Sequence, residues 1–566
     1  MAKARAIGTS PPAPQNRRFP ALRTATETPP SRSRTRRALT RLLSAGTAAL
    51  LTAALLPAAP AAAATVTVTH ETIVSHDGAE LSAKAITPGT DGPHPLLVMP
   101  AAWGTPNLIY VGAAHRLAYE SGYQVVAYTS RGFYDSGGGI EVAGPEDRAD
   151  ASAVIDWALA NTDADPDLIG MAGISYGAGI SLLTAAEDER VDAVAALSGW
   201  ADLAASLYPN RTINEQAAEL LLLAGNLTGS PGEKLQMIEE EYRDGNVAPI
   251  VEASLDRSAM HKVDAINANG TAVMMAHTWN DGIFNPNQIT DFYEALEGPK
   301  QLMLTPGDHA TQDAFGALGL PDEVWSAAGD WFDHHLLGED NGAAAADPVR
   351  VKPNSGGGWT SHADWASVTG RTDAYYLGKP STSWFRWQSR GAMAAEPATG
   401  WEYRYRSGYG TNAQSGTILL TGALQQFFDV PTGVSLPRVD RYHSAVWTGP
   451  AYPDGVRIAG TPRAELTATP TSADQTLYVY LYDIDERGRG ALVSHAPYSL
   501  RDTTPGEPAQ VGVDLQDIVW DVPAGHRLAV VVDSGDLRYA EENDPWDRVT
   551  VASGEESPAR VTVPLG

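Results

Sequence analysis

Two hydrophobic periodicities divide the chain. From Thr65 to about Gly338, short apolar runs alternate with longer stretches whose apolar residues recur at helical spacing, the pattern of a mostly parallel sheet covered by helices. "TVTVTHETIVSHDG" and "AELSAKAITP" predict an opening antiparallel pair that turns at Asp77-Gly78. "HPLLVMPA" and "YQVVAYTSRG" predict buried strands, separated by the helical "LIYVGAAHRLAYESG" with Gly122 as its stop. "PEDRADASAVIDWALANT" opens on Pro145 and acidic residues, which suit a helix N-terminus. The strands "LIGMAGI", "VDAVAALSG", "TAVMMAHTW" and "KQLMLTPG" follow, and the helix "EVWSAAGDWFDHHLLG" closes a unit of residues 65–340.

Alternation lapses between Trp200 and about Asn269, where "INEQAAELLLLAG" and "PGEKLQMIEEEYRDG" keep helical spacing. This predicts a helical cap at about residues 200–269, lying over the carboxyl ends of the strands, where open α/β sheets bind ligands. From about Asp347 the pattern becomes short strands with frequent Gly, Pro and Asp turns, as in "TGALQQFFDVP", "TLYVYLYDI", "RLAVVVDSGD" and "RVTVPLG". That predicts a β-sandwich over residues 347–566, reached through the linker "AAAADPVRVKPNSGGG".

The first 64 residues follow neither pattern. A basic, Pro- and Arg-rich leader ends in "TRRALTR" and is followed by "LLSAGTAALLTAALL" and "PAAPAAAA". Basic region, short apolar region and small-residue site, in that order, predict a secretory signal peptide cleaved near Ala64, with Arg36 and Arg37 resembling a twin-arginine pair. The apolar run is short for a membrane span, which needs about 20 residues. The leader holds 10 Lys and Arg against 1 acidic residue, so its removal takes the formal charge from −28 to −37. A surface that acidic repels nucleic acid and anionic membranes, and neither is expected as a stable partner. The chain contains no cysteine, which excludes a disulfide framework, a Cys nucleophile and a thiolate metal site.

The stretch "LIGMAGISYGAGISLL", residues 168–183, joins a buried strand to a helix without a spacer. Gly173-Ile174-Ser175-Tyr176-Gly177 at that junction is the Gly-x-Ser-x-Gly pattern of a nucleophile elbow, which holds a serine hydroxyl clear of the sheet on a sharp turn. A hydroxyl is a poor nucleophile at neutral pH and needs a base, itself oriented by a third group. After such an elbow an acid and then a histidine are expected, each at the carboxyl end of a strand. "TAVMMAHTW" runs into Asn280-Asp281-Gly282, and "KQLMLTPG" runs into Asp308-His309. Ser175 is therefore the expected nucleophile, His309 its base and Asp281 the group that orients the imidazole. The oxyanion of the intermediate is expected to meet the backbone N–H of Tyr176 and a second donor from the Trp103 region.

Other chemically capable residues read as structural. Among the 13 histidines, His277 lies inside a strand and is expected to be packed. His334 and His335 are adjacent on a helix and cannot share a face, which argues against zinc. Asp308 is expected to point away from its neighbour His309. Glu239, Glu240 and Glu241 are consecutive on a cap helix and are expected to form a solvated face.

The motifs together resemble the family of X-prolyl dipeptidyl peptidases, cocaine esterase and related acylases. "GISYGAG" has the form of elbow that family favours, "TSRGFYDSGGG" with "EDRADASAVIDWALANT" is similar to its Arg-Gly, Ser-Gly and Asp-x-x-x-x-x-Asp-Trp signature, and "HTWNDGIF" and "PGDH" resemble the segments carrying its acid and its histidine. The resemblance spans about residues 70–340, and more loosely the C-terminal part, where "LYVYLYDID", "LVSH" and "PAGHRLAVVV" look like its jelly-roll domain. It implies an α/β-hydrolase domain with an inserted helical cap, followed by a jelly-roll β-sandwich. It also implies hydrolysis of esters or amides through an acyl-serine, without metal or organic cofactor, with a small molecule or peptide as the partner. Several members donate an oxyanion hydrogen bond from a tyrosine side chain in the loop after the strand matching "PLLVMP". This chain has "AAWGTPN" there, and Tyr110 comes later, on the expected helix. The leading expectation is a secreted serine hydrolase that cleaves an X-Pro peptide or a small acyl substrate. A cocaine-esterase-type carboxylesterase or acylase is the alternative, and a binding protein with a decayed hydrolase core is the alternative of another class, against which the intact Ser175, Asp281 and His309 count.

Overall fold

The computed structural model describes residues 65–343, 346–382 and 388–566. The predicted leader, with its cleavage site near Ala64, lies outside the described residues. Strands β1 (Thr67–Val74) and β2 (Glu80–Thr87) form the expected antiparallel pair. The sheet continues through β3 (His94–Pro100), β4 (Gln124–Tyr128), β5 (Ala164–Ile174), β6 (Ala193–Leu197), β7 (Ala272–Thr278) and β8 (Lys300–Thr305). β3 and β4 are buried throughout, as apolar runs covered on both faces must be.

Successive residues of each strand serve opposite layers. Leu97 and Met99 of β3 share a core with Leu117, Trp331 and Phe332 from the helices Val111–Glu120 and Glu323–His335. Leu96 and Val98 share the other core with Val154, Ile155, Leu182 and Leu183 from the helices Pro145–Asn161 and Tyr176–Glu187. Between β6 and β7 the chain leaves the sheet to build the cap. Its helices are Leu203–Leu207, Glu215–Thr228, Glu233–Asp244, Val247–Leu255 and Val263–Asn269.

Two expectations, one at the domain junction and one within the C-terminal domain, are corrected. The segment expected to be a linker supplies β9 (Val349–Val351), which pairs parallel with β8, and β10 (Thr360–His362) pairs antiparallel with β9. The ten strands are ordered β1-β2-β4-β3-β5-β6-β7-β8-β9-β10. Residues 349–362 therefore extend the sheet of the first domain, and the strands of the sandwich itself begin with Arg371–Leu377. "VRV" is too short to show a period, although both its valines are buried. The second correction concerns "TGALQQFFDVP", which forms a helix over Thr421–Phe428 that ends on Asp429 at φ 56°. Neighbouring strand patterns masked its helical spacing.

The sandwich consists of two sheets joined where Arg371–Leu377 pairs with Gly391–Ala394. Strand Gln475–Ile484 is buried along its whole length because both of its faces are covered. Leu477, Val479 and Leu481 face the main core, and Tyr478, Tyr480 and Tyr482 face a separate cluster with Val439 and Tyr539. Helix Thr421–Phe428 brings this domain against the loop that carries His309.

Candidate active site

β5 ends at Ile174, and Ser175 takes φ 57° and ψ −113° before the helix Tyr176–Glu187 begins. A non-glycine residue there is strained by about 1–3 kcal/mol and persists only where its surroundings over-determine it. They do so here. Ser175 N–H donates to Leu197 O at 2.9 Å, and Ile174 N–H donates to the Tyr110 hydroxyl at 2.8 Å. The flanking glycines answer to contact: a Cβ on Gly173 would lie 2.3 Å from the Gly177 carbonyl carbon, and one on Gly177 would lie 2.0 Å from Pro100 O.

The ends of β7 and β8 deliver the other two predicted residues to this serine. His309 Nε2 lies 2.8 Å from Ser175 Oγ, and His309 Nδ1 lies 2.9 Å from Asp281 Oδ2. Asp281 Oδ1 accepts the N–H groups of Ile283 and Phe284, both at 2.9 Å, so the carboxylate is held at both oxygens. Phe284 in turn sets its ring edge-on to the His309 imidazole, with centroids 5.2 Å apart. Burial lowers the His309 pKa, but the charge and hydrogen bond of Asp281 outweigh it and leave the imidazole above its ordinary 6.5. Burial raises the Asp281 pKa, and His309 more than reverses that, leaving the acid below its ordinary value.

The structure separates the two candidate oxyanion donors from their side chains. Tyr176 opens its helix, and a first-turn N–H has no partner within the helix. The Tyr176 hydroxyl instead donates to Asp147 Oδ1 at 3.1 Å and accepts the Ala143 N–H at 2.7 Å. The Trp103 indole N–H donates to Leu221 O in the cap at 2.9 Å, and its ring meets Tyr176 edge-on with centroids 5.0 Å apart. Ala101 N–H is bonded to Tyr128 O at 2.9 Å and is therefore not free to serve an oxyanion. Tyr110 accepts the Ile174 N–H and so braces the elbow from behind.

Other residues support the site, and Asp308 points away from the imidazole as expected. Asp308 Oδ1 accepts the N–H groups of Gly282 and His309 at 3.0 and 2.9 Å, and its Oδ2 accepts Gly422 N–H of the C-terminal domain at 3.3 Å. Asp147 and Asp313 are buried, and burial pushes each carboxyl up to about 7. His277 is packed as expected, with Nε2 donating to Phe284 O at 2.7 Å. The signature residues Arg131 and Asp150 form a buried bidentate pair, both contacts 2.7 Å, beneath the loop after β4. A cavity of about 150 Å³ opens on Ser175, with Trp103, Trp200 and Phe284 on one side and Leu222, Leu235 and Ile250 of the cap on the other.

Fold and site together define a serine hydrolase of the α/β-hydrolase fold, acting on amide or ester bonds. A family model for the X-Pro dipeptidyl-peptidase (S15 family) matches residues 77–311, and one for the X-Pro dipeptidyl-peptidase C-terminal non-catalytic domain matches residues 341–563. The chain belongs to this family, which includes the cocaine-esterase-like hydrolases. It is 22% identical to cocaine esterase of Rhodococcus sp. over 532 residues, covering 82% of this chain and 90% of that protein. It is 23% identical to the Xaa-Pro dipeptidyl-peptidase of Lacticaseibacillus paracasei over 549 residues, 81% of this chain but 64% of that protein's length. Among solved structures, an alpha-amino acid ester hydrolase superposes with a TM-score of 0.67 at 16% identity, covering 91% of this chain and 100% of that one. A CocE/NonD family hydrolase from Staphylococcus aureus gives 0.67 at 13% identity, covering 90% and 99%. Both likenesses carry the two-domain fold.

Proposed function

We propose that the chain hydrolyses an ester or amide through an acyl-serine intermediate on Ser175. The observation that carries this reading is the unbroken hydrogen-bonded chain from Ser175 through His309 to Asp281. His309 Nε2 takes the hydroxyl proton as Ser175 Oγ bonds to the carbonyl carbon, and the oxyanion meets the N–H of Tyr176 and a backbone N–H in the Trp103 region. Collapse of that intermediate breaks the bond to the leaving group, which departs with the proton from His309. A water then gives its proton to His309 and its oxygen to the acyl carbon, and Ser175 leaves with the proton. Asp281 holds the imidazole tautomer and stabilises the cation throughout.

Ester hydrolysis of the cocaine-esterase type is the first reading, supported by a relative matched over nearly all of its length. X-Pro dipeptidyl-peptidase activity is the second, favoured by the match of both domains to that family's models. The leader supports export, with a mature chain beginning at Thr65. Labelling with a fluorophosphonate probe tests the mechanism: wild-type protein labels, Ser175→Ala does not, and kcat falls by roughly 10⁴ or more in the variant. A wild-type chain that never labels would favour the binding-protein alternative. The mass of the protein recovered from culture medium tests export, since retention of residues 1–64 would contradict it.

A further inference from the structure

The cavity against Ser175 has an almost wholly apolar wall. Among the described residues, none of those lining it is Asp or Glu, and its one charged residue is Arg257. The Arg257 guanidinium donates to the carbonyl oxygens of Ala253 and Glu141, at 3.0 and 3.3 Å. Three of the cap acids have partners, and Glu215, its carboxyl pushed up by burial and by Glu219, stands near Tyr242 and outside the lining. Glu239 pairs with Arg243, Glu241 accepts from Asn246 at 2.6 Å, and Glu219 accepts from the Tyr242 hydroxyl at 3.2 Å.

The wall also shows which half of a substrate the cavity serves. Ser175, Tyr176 and Trp103 are part of it, and His309 is not. His309 must reach the departing group to protonate it, and a cavity lined by Ser175, Tyr176 and Trp103 rather than by His309 is placed to take the acyl half instead. At about 150 Å³ the cavity matches the size of an engineered apolar cavity, in another protein, that holds benzene, a ligand of six carbons. The cap side of the wall is aliphatic, built by Leu222, Leu235, Ile250 and Val251.

We propose that this cavity takes the acyl half of the substrate as an uncharged aliphatic chain of about six carbons and excludes acyl groups that carry a free ammonium. The proposal rests on the acyl-serine reading above. An ammonium moved from water into this wall meets no carboxylate, and its desolvation goes uncompensated. Each methylene that enters gains roughly fourfold from burial. A chain grown from two carbons to six therefore gains on the order of 10² in kcat/KM. Specificity of this kind excludes an X-Pro dipeptide, whose free amino group lies on the acyl side.

The test compares the methyl esters of acetate, butyrate, hexanoate and norleucine, the last being hexanoate with an α-ammonium, by pH-stat titration. The expected result is a rise of about 10² in kcat/KM from acetate to hexanoate and a loss of at least about 10² on passing to norleucine. A flat or falling series, or a norleucine ester or Ala-Pro p-nitroanilide cleaved faster than hexanoate, overturns the proposal. Fluorophosphonate labelling of the same preparation separates the two failures: an unlabelled Ser175 overturns the acyl-serine reading, and a labelled one with the wrong preference overturns only the cavity assignment. Ala218→Phe places a ring in the cavity wall, and it should lower the hexanoate-to-acetate ratio about tenfold while the serine still labels. Val251→Phe repeats the test from another cap helix should the first variant fail to fold. An unchanged ratio in a labelled variant contradicts the assignment.

Discussion

Asp308 directly precedes His309, yet its carboxylate turns away from the imidazole and accepts the Gly282 N–H at 3.0 Å. One residue thereby ties the loop of Asp281 to the loop of His309. Its other oxygen accepts Gly422 N–H across the domain boundary, which makes the C-terminal domain part of the support for the site. Asp308→Ala leaves three buried N–H groups without an acceptor, each costing about 1–3 kcal/mol. The expected outcome is a lower Tm together with a kcat reduced at least tenfold and a KM within a fewfold of wild type. Kinetics and thermal melts on the same variant check this, and an unchanged kcat in a destabilised protein would reduce Asp308 to a structural residue.

The pH dependence of activity follows from the Asp281–His309 contact. With the imidazole pKa above 6.5, the base is protonated and inactive on the acid side of that value. Activity should therefore fall on acidification with a midpoint above pH 6.5. Asp281→Asn removes the charge that raises the imidazole, so the midpoint moves lower while kcat drops by about 10⁴. A kcat/KM profile that is flat between pH 5 and 8, roughly the ordinary histidine range, would remove His309 from the role of base.

Tyr110 discriminates between bracing and chemistry. Its hydroxyl accepts from Ile174 N–H, so Tyr110→Phe strands a buried donor at a cost of about 1–3 kcal/mol. We expect a fall in Tm and a kcat lowered less than tenfold. A loss of roughly 10²–10³ in kcat at an unchanged Tm is the signature of a missing oxyanion donor, and would place the hydroxyl in the oxyanion hole instead.

Ser175, Asp281 and His309 were legible because each follows an apolar strand that ends in Gly, Asn or Asp punctuation, so local pattern alone marks the strand ends. The residues that hold them were not. Asp308 reaches Gly282 and Tyr110 reaches Ile174 only because separate segments pack together, and no period in the chain records such a contact. The cap shows the same limit. Helical spacing in "INEQAAELLLLAG" marks a helix, but which of its leucines would face an empty space beside Ser175 depends on how five cap helices meet. At the domain junction, three-residue strands such as Val349–Val351 fall below the length at which alternation is visible.

Buried carboxyls away from the site give the stability its own pH dependence. Asp533, in the sandwich, is fully buried, with Oδ1 bonded to Gly535 N–H at 2.8 Å and Oδ2 to the Thr411 hydroxyl at 2.5 Å. Burial pushes its pKa up to about 8 from an ordinary 3.8. The folded state therefore holds this proton more tightly than the unfolded chain does. The resulting stabilisation is complete below the unfolded pKa of 3.8 and is lost as pH rises through about 8. Asp517, pushed up to about 7 between the Thr290 and Thr461 hydroxyls, acts in the same direction. Tm should accordingly decline from pH 6 to pH 9, roughly the span that brackets both groups. Asp533→Asn stays neutral over that range and should flatten part of the decline. A variant whose Tm falls as steeply as that of the wild type would show that Asp533 is already ionised in the fold.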